Sequence, residues 1–165
     1  MSMIGNFLRV TKSELDLYLR DSSKLEKRVY NNVIGKEDAG FVEIDKSWDG
    51  INFLLTGAMI GESDAPLSKV MFSGQSIDEN QDMGYGPAQY LTPKEVGEIN
   101  TEISKISVEG LKLKYDGEKM NRLGIYPNVW EEEVALDYLL EYFIVVQEVF
   151  AIAAKNEEGI ITFLN

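Results

Sequence analysis

Apolar residues open the chain as a run, Met3 to Val10, with Arg9 near its end, and such a run reads as a strand. Thr11 follows, with Glu14 three residues on, a capping box that starts a helix carrying Leu15, Leu17 and Tyr18. A second helix is expected from Ser23 through Tyr30, ending near Asn31 and Asn32, and Gly35 to Gly40 reads as a polar turn. Phe41 to Ile44 is too short to assign. Trp48, Ile51, Leu54 and Leu55 then recur at helical spacing, with Asp45 or Ser47 as N-cap and Gly57 as the C-terminal stop. Pro66 suits a helical first turn, so Leu67 to Phe72 reads as a short helix. Residues 73–88 have the composition of a surface loop, and a loop of that length is usually functional or mobile. Thr92-Pro93-Lys94-Glu95 joins a cap, a first-turn proline and a capping-box acid, which predicts a helix from Pro93 to about Lys105.

Ser107 and Asp116 are placed as caps of two further short helices, and a long helix is expected from Glu131 to Lys155. Its apolar residues fall on two seams, one through positions 136, 139, 143, 146, 150 and 153, the other through Tyr138, Tyr142, Val145, Val149 and Ile152. Two seams imply burial on two sides, against a sheet and against a helix or a second subunit. Glu131 to Glu133 put three negative charges on its first turn, where the helix dipole favours them. Gly159 to Leu164 is a closing strand. Terminal strands at both ends of a helical chain predict that the two share one sheet, since a lone strand leaves its backbone unpaired. The expected class is α/β (α+β), a single helix-rich domain over residues 1–165 around a small mixed sheet.

Composition narrows the chemistry more than the fold. The 165 residues are 44% hydrophobic and 27% charged, normal for a globular domain that buries roughly two thirds of the surface its unfolded chain exposes. Sixteen basic and 28 acidic side chains give a net charge of −12, which repels phosphate backbones and anionic membranes, so neither nucleic acid nor membrane is an expected partner. The densest basic stretch, Lys24 to Arg28, is interrupted by Leu25 and Glu26 and reads as a solvated face. There is no His and no Cys, which removes Ser-His-Asp, Cys-His and zinc-hydrolase mechanisms and every disulfide. Apolar runs such as Tyr142 to Val146 are too short to span a bilayer, and a cytoplasmic location is expected.

What remains is carboxylates, hydroxyls, amides, amines and rings. In EIDKSWDGINFLLTG, Glu43 to Gly57, Asp45 and Asp49 stand four apart and would share a helix face, a spacing that permits acid–base work beside the Trp48 platform. The plainer account makes Asp45 a cap, Asp49 a first-turn acid and Trp48 core. In QDMGYGPAQYLTP, Gln81 to Pro93, Gly84 and Gly86 flank Tyr85 and would present its ring on a bent backbone before a strand at Gln89 to Leu91 that carries Tyr90. Asp78, Asn80 and Asp82 alternate like calcium ligands, but the glycine falls one place late and Gln89 stands where a bidentate Glu is needed, so no metal is expected. GIYPNVW, Gly124 to Trp130, reads as a rigid aromatic turn that either seals the core or lines a groove through Tyr126.

The motifs Met3-Ile4-Gly5-Asn6-Phe7, Asp45-Lys46-Ser47-Trp48-Asp49 with Phe53 to Gly57, Pro66-Leu67, GYGPAQYLTP, Met120-Asn121 and Ile125-Tyr126-Pro127 occur in an order that resembles the YfbM-like family of small bacterial proteins over nearly the whole chain. The resemblance implies a three-layer αβα arrangement around a mixed sheet and no established reaction. Three functional readings stay open. The first is a non-enzymatic binding or interaction domain, with a cleft of Trp48, Tyr85, Tyr90 and Tyr126 and a protein or polar small molecule as partner. The second is a carboxylate-dependent hydrolase or transferase using Asp45 and Asp49. The third is an immunity-type acidic inhibitor of a toxin. A homodimer through the second seam of the long helix is compatible with each, and no cofactor is implied.

Overall fold

The computed structural model describes residues 2–31 and 38–165. Two six-residue strands, β1 (Gly5–Val10) and β4 (Gly159–Leu164), pair antiparallel along their whole length, from Gly5 opposite Leu164 to Val10 opposite Gly159. Both strands are buried almost throughout, which is why they read as mostly apolar runs, interrupted by Asn6 and Arg9 in β1 and Thr162 in β4. Short edge strands β2 (Phe41–Glu43) and β3 (Gln89–Leu91) complete the order β2-β1-β4-β3. Every pairing is antiparallel, so the mixed character expected of the sheet is corrected: no two neighbouring strands are joined by a parallel crossover.

Alternation along the central strands sends side chains to two cores. Phe7, Ile160 and Leu164 face a large core shared with α3 (Trp48–Thr56), α4 (Pro93–Ile103) and α7 (Ala135–Lys155). Leu8, Val10, Ile161 and Phe163 face a smaller one under α1 (Lys12–Arg20) and α2 (Ser22–Glu26), whose last turn continues as a π-helical turn over Lys27–Asn31. Helical cover on both faces of a small antiparallel sheet makes the class α+β in three layers. The expected end of the second helix at Asn32 and the first part of the turn at Gly35 lie outside the described residues.

Both capping boxes form. Thr11 Oγ1 accepts from the Glu14 amide at 3.1 Å, and Thr92 Oγ1 accepts from the Glu95 amide at 3.3 Å, each acid reaching back to its cap. Ser107 and Asp116 cap α5 (Val108–Lys112) and α6 (Gly117–Arg122). Gly57 closes α3 in the left-handed conformation, φ 70°.

Three local expectations are corrected. Residues 73–88 are a second-core cover, with Ile77, Met83 and Ala88 buried and Ile77 N–H bonded to the Ala88 carbonyl at 2.9 Å. Their few apolar residues are spaced among turn residues, so no period betrays the burial. Pro66–Lys69 is a single 3-10 turn, after which Val70 and Met71 drop into the core. The long helix begins at Ala135, four residues late, because Trp130 is held by the preceding turn: its amide donates to Asn121 Oδ1 at 2.9 Å and its ring N–H to the Ile125 carbonyl at 2.8 Å. Glu131 to Glu133 therefore precede the helix, and Asp137 is its first-turn acid.

Candidate functional site

The segment from Glu43 is divided by a single backbone turn. Asp45 has φ 49°, an uncommon value for a non-glycine residue, and starts a 3-10 turn, Asp45–Ser47, that turns the chain from β2 into α3. Ile44 and Ser47 point inward and are buried, and the Ser47 hydroxyl donates to the Ile44 carbonyl at 2.6 Å. Ser47, one of the two expected N-caps, stands at the N-cap position of α3 but makes no side-chain cap bond, because its hydroxyl is spent on Ile44; Asp45 turns to another element. Asp45 Oδ2 accepts from the Tyr138 hydroxyl at 2.7 Å, and the same hydroxyl accepts from the Lys46 amide at 3.0 Å.

Trp48 and Asp49 face the other way, into a closed set of bonds. The Trp48 ring N–H donates to the Met3 carbonyl at 3.0 Å, the Met3 amide to the Tyr126 hydroxyl at 2.9 Å, and the Tyr126 amide to Asp49 Oδ2 at 2.8 Å. The circuit closes by ring contact, Trp48 lying on Tyr126 at 5.4 Å between centroids and 23° between planes. Burial pushes the Asp49 carboxyl above its ordinary value, and the Tyr126 amide works against that rise. Asp45 and Asp49 thus engage different hydroxyl and amide partners, from α7 and from the 124–130 turn.

Trp48, Asp49 and Tyr126 are brought together; Tyr85 and Tyr90 are not brought to them. Tyr90 packs against the smaller core, on the opposite face of the sheet from Trp48. Tyr85 is exposed between Gly84 and Gly86, both at positive φ, with its amide on the Leu164 carbonyl at 3.1 Å. Asp78 and Asp82, the calcium-like pair, accept from loop amides: Asp78 Oδ1 from Asn80, and Asp82 Oδ1 from Gly84 and Gly86. The Ser22 hydroxyl on Asp78, then the Asn80 amide, hold that carboxyl below its ordinary value.

Residues outside the candidate set stand beside Asp45. Tyr138 and Tyr142, one turn apart on α7, meet edge to face at 5.1 Å and 71°. Burial pushes both hydroxyls up; the bond to Asp45 adds to the effect at Tyr138, and the charges of Asp45, Glu43 and Glu141 add to it at Tyr142. Asp45 is thus bonded to one of two half-buried rings, and three carboxylates from two regions of the chain add their charge at the other. The pair is visible in the sequence as part of the second apolar seam, but only the turn at Asp45 discloses which acid is bonded to it. Half-buried rings beside a bonded carboxylate offer a cation aromatic surface and charge. Elsewhere, a cleft of about 520 Å³ between the Pro66 turn and α4 is lined by Asp64, Lys69, Glu95, Glu98 and Glu102. Among the described residues no cluster of three acids could hold a metal ion, and no helix is long and apolar enough to cross a membrane.

The family model described as a domain of unknown function, DUF1877, matches residues 1–163. The chain belongs to the DUF1877 family. Protein YfbM of Escherichia coli (strain K12) is 26% identical over 133 residues, which is 78% of this chain and 75% of that protein. The crystal structure of YfbM, a protein of unknown function from Escherichia coli, superposes with a TM-score of 0.74 at 16% identity, covering 99% of this chain and 100% of that one. This likeness places the DUF1877 chain in the same α+β fold.

Proposed function

We propose that the chain is a non-catalytic binding domain that recognises a cationic side chain of a basic protein partner at Tyr138 and Tyr142. The observation that carries this reading is the edge-to-face tyrosine pair beside Asp45, with Glu43 and Glu141 adding their charge. A guanidinium or ammonium can lie against the rings while carboxylates compensate its charge, and the net charge of −12 steers a basic partner toward the surface. An immunity-type inhibitor of a basic toxin is the form this takes when the partner carries a positive cleft, and the same net charge favours it.

The hydrolase reading draws no support from the geometry. Asp49 accepts an internal amide and Asp45 a tyrosine hydroxyl on another element, so each carboxylate is already engaged by a different part of the fold. The test is a titration of the ¹⁵N-labelled protein with an arginine-rich peptide and a matched acidic peptide. The expected result is saturable shifts at residues 43–46 and 138–145 with the basic peptide alone, weakened by Tyr142→Ala and by Glu141→Lys. Shifts scattered over the acidic surface, or unchanged in both variants, would overturn the assignment.

A further inference from the structure

A second concave site lies apart from the tyrosine pair, where the end of α3 meets the α5–α6 corner. Its volume is about 570 Å³, and its walls include Phe53, Leu55, Leu113, Lys114, Asp116 and Lys119. In a chain with 28 acids to 16 bases, four lysines, Lys12, Lys94, Lys105 and Lys112, lie within 4 Å of a carboxylate. Among the described residues Lys114 and Lys119, like Lys24, Lys27, Lys46, Lys69 and Lys155, make no such pair, but these two share the walls of one cleft. The neighbouring acids are already engaged: Glu118 pairs with Arg122, and Asp116 Oδ1 accepts the Lys119 amide at 3.0 Å as the cap of α6. Instead of a carboxylate, the Lys119 ammonium has the Phe53 ring beneath it, 5.8 Å from the centroid. That contact leaves its three N–H donors unclaimed by any acid.

The remaining walls are apolar. Phe53 and Leu55 are buried beneath the cleft, and Leu113 at its rim is 89% exposed, the most exposed large hydrophobic side chain among the described residues. Two ammoniums beside an uncovered leucine offer complementary halves to one kind of small molecule. We infer that this cleft binds an amphipathic organic monoanion, its carboxylate between Lys114 and Lys119 and its apolar body along Leu113 and Leu55. The single charge of Asp116 offsets one lysine, which favours a monoanion over a phosphate dianion. This site rests on a different observation from the tyrosine pair, and either can fail without the other.

The test is an NMR titration of the whole ¹⁵N-labelled protein with hexanoate, against hexanamide, acetate and inorganic phosphate as comparison probes. Hexanoate is expected to saturate in roughly the millimolar range, as suits a ligand of so few atoms, with shifts confined to residues 53–57 and 111–119. Lys114→Gln and Lys119→Gln should each weaken it roughly threefold, the scale of an exposed ion pair, and Leu113→Ser should weaken hexanoate while leaving acetate unchanged. All three side chains are exposed, and a thermal melt of each variant verifies that folding is intact. Undiminished hexanoate binding in the double lysine variant, or shifts elsewhere, would overturn the site. Equal affinity for hexanamide would overturn the anion assignment, and equal affinity for acetate or phosphate would overturn the amphipathic one.

Discussion

Asp49 and Glu95 are both partly buried carboxylates at the start of helices, yet their surroundings move them in opposite directions. Burial dominates at Asp49 and raises its pKa, with one amide bond in opposition. At Glu95 burial is also the largest single influence, but the Gln75 amide, both donors of Thr92 and the charge of Lys69 together outweigh it, and the pKa falls. The signs of the linked stabilities differ accordingly. The folded state binds the Asp49 proton more tightly than the unfolded chain does. Stability from that residue is therefore greatest below its ordinary value of 3.8 and declines as pH rises through the shifted one. Glu95 stabilises above its ordinary value of 4.5 and loses that contribution as pH falls through the lowered one. Asp49→Asn keeps an acceptor for the Tyr126 amide without the buried charge, so it should be at least as stable as the parent at pH 7, with the difference shrinking toward pH 4. Asp49→Ala strands that amide and should cost about 1–3 kcal/mol. Urea denaturation of parent and variants between pH 4 and pH 7 checks both; a large loss in Asp49→Asn at pH 7 would show that the negative charge itself is required.

At the scale of elements, the close approach of α3 to α7 and the Trp130 turn rests on Gly50. A Cβ built there would stand 2.7 Å from Leu139 Cδ2 and 2.7 Å from Trp130 Cη2. The leucine can move, but the Trp130 ring is fixed by its bond to the Ile125 carbonyl. Alanine favours a helix over glycine by up to about 1 kcal/mol, while overpacking a filled core costs about 1–3 kcal/mol. Gly50→Ala should therefore lower the melting temperature despite improving the local helix, and a rise would show that the α3–α7 packing yields easily. Thr92→Ala removes the acceptor that starts α4 and should cost about 1 kcal/mol, measured by the same unfolding transition. These elements also mark where the sequence was legible. Signals contained within a few residues, such as the Thr11 and Thr92 boxes and the Gly57 stop, formed as read. Starts set by a distant partner did not: α7 is delayed by the anchoring of Trp130 to Asn121, and the end of β2 turns at Asp45 toward Tyr138.

For the whole molecule, the same distinction explains why the candidate site was only half visible. Trp48, Asp49 and Tyr126 could be singled out as unusual residues, but their common circuit passes through the backbone of Met3, which no spacing rule connects to them. Tyr138 and Tyr142 were legible as a seam and not as a surface, because no spacing rule brings the Asp45 turn onto Tyr138. Beyond them the outer face of α7 carries Asp137, Glu141, Ile144, Glu148 and Ile152, all exposed. A second copy docking here about a two-fold axis would oppose this face to itself, setting acid against acid in a chain of net charge −12. A basic partner meets no such repulsion and still covers Ile144 and Ile152. The chain is therefore expected to sediment as a monomer at micromolar concentration and low salt. Binding of an arginine-rich peptide should weaken steeply between about 50 and 300 mM salt, as the screening length contracts to a few ångströms. A dimer at low salt that Ile144→Asp dissolves would reverse the ranking, making the face self-complementary and the basic partner unnecessary. A peptide affinity indifferent to salt would locate the interaction in the rings alone, without the carboxylates around them.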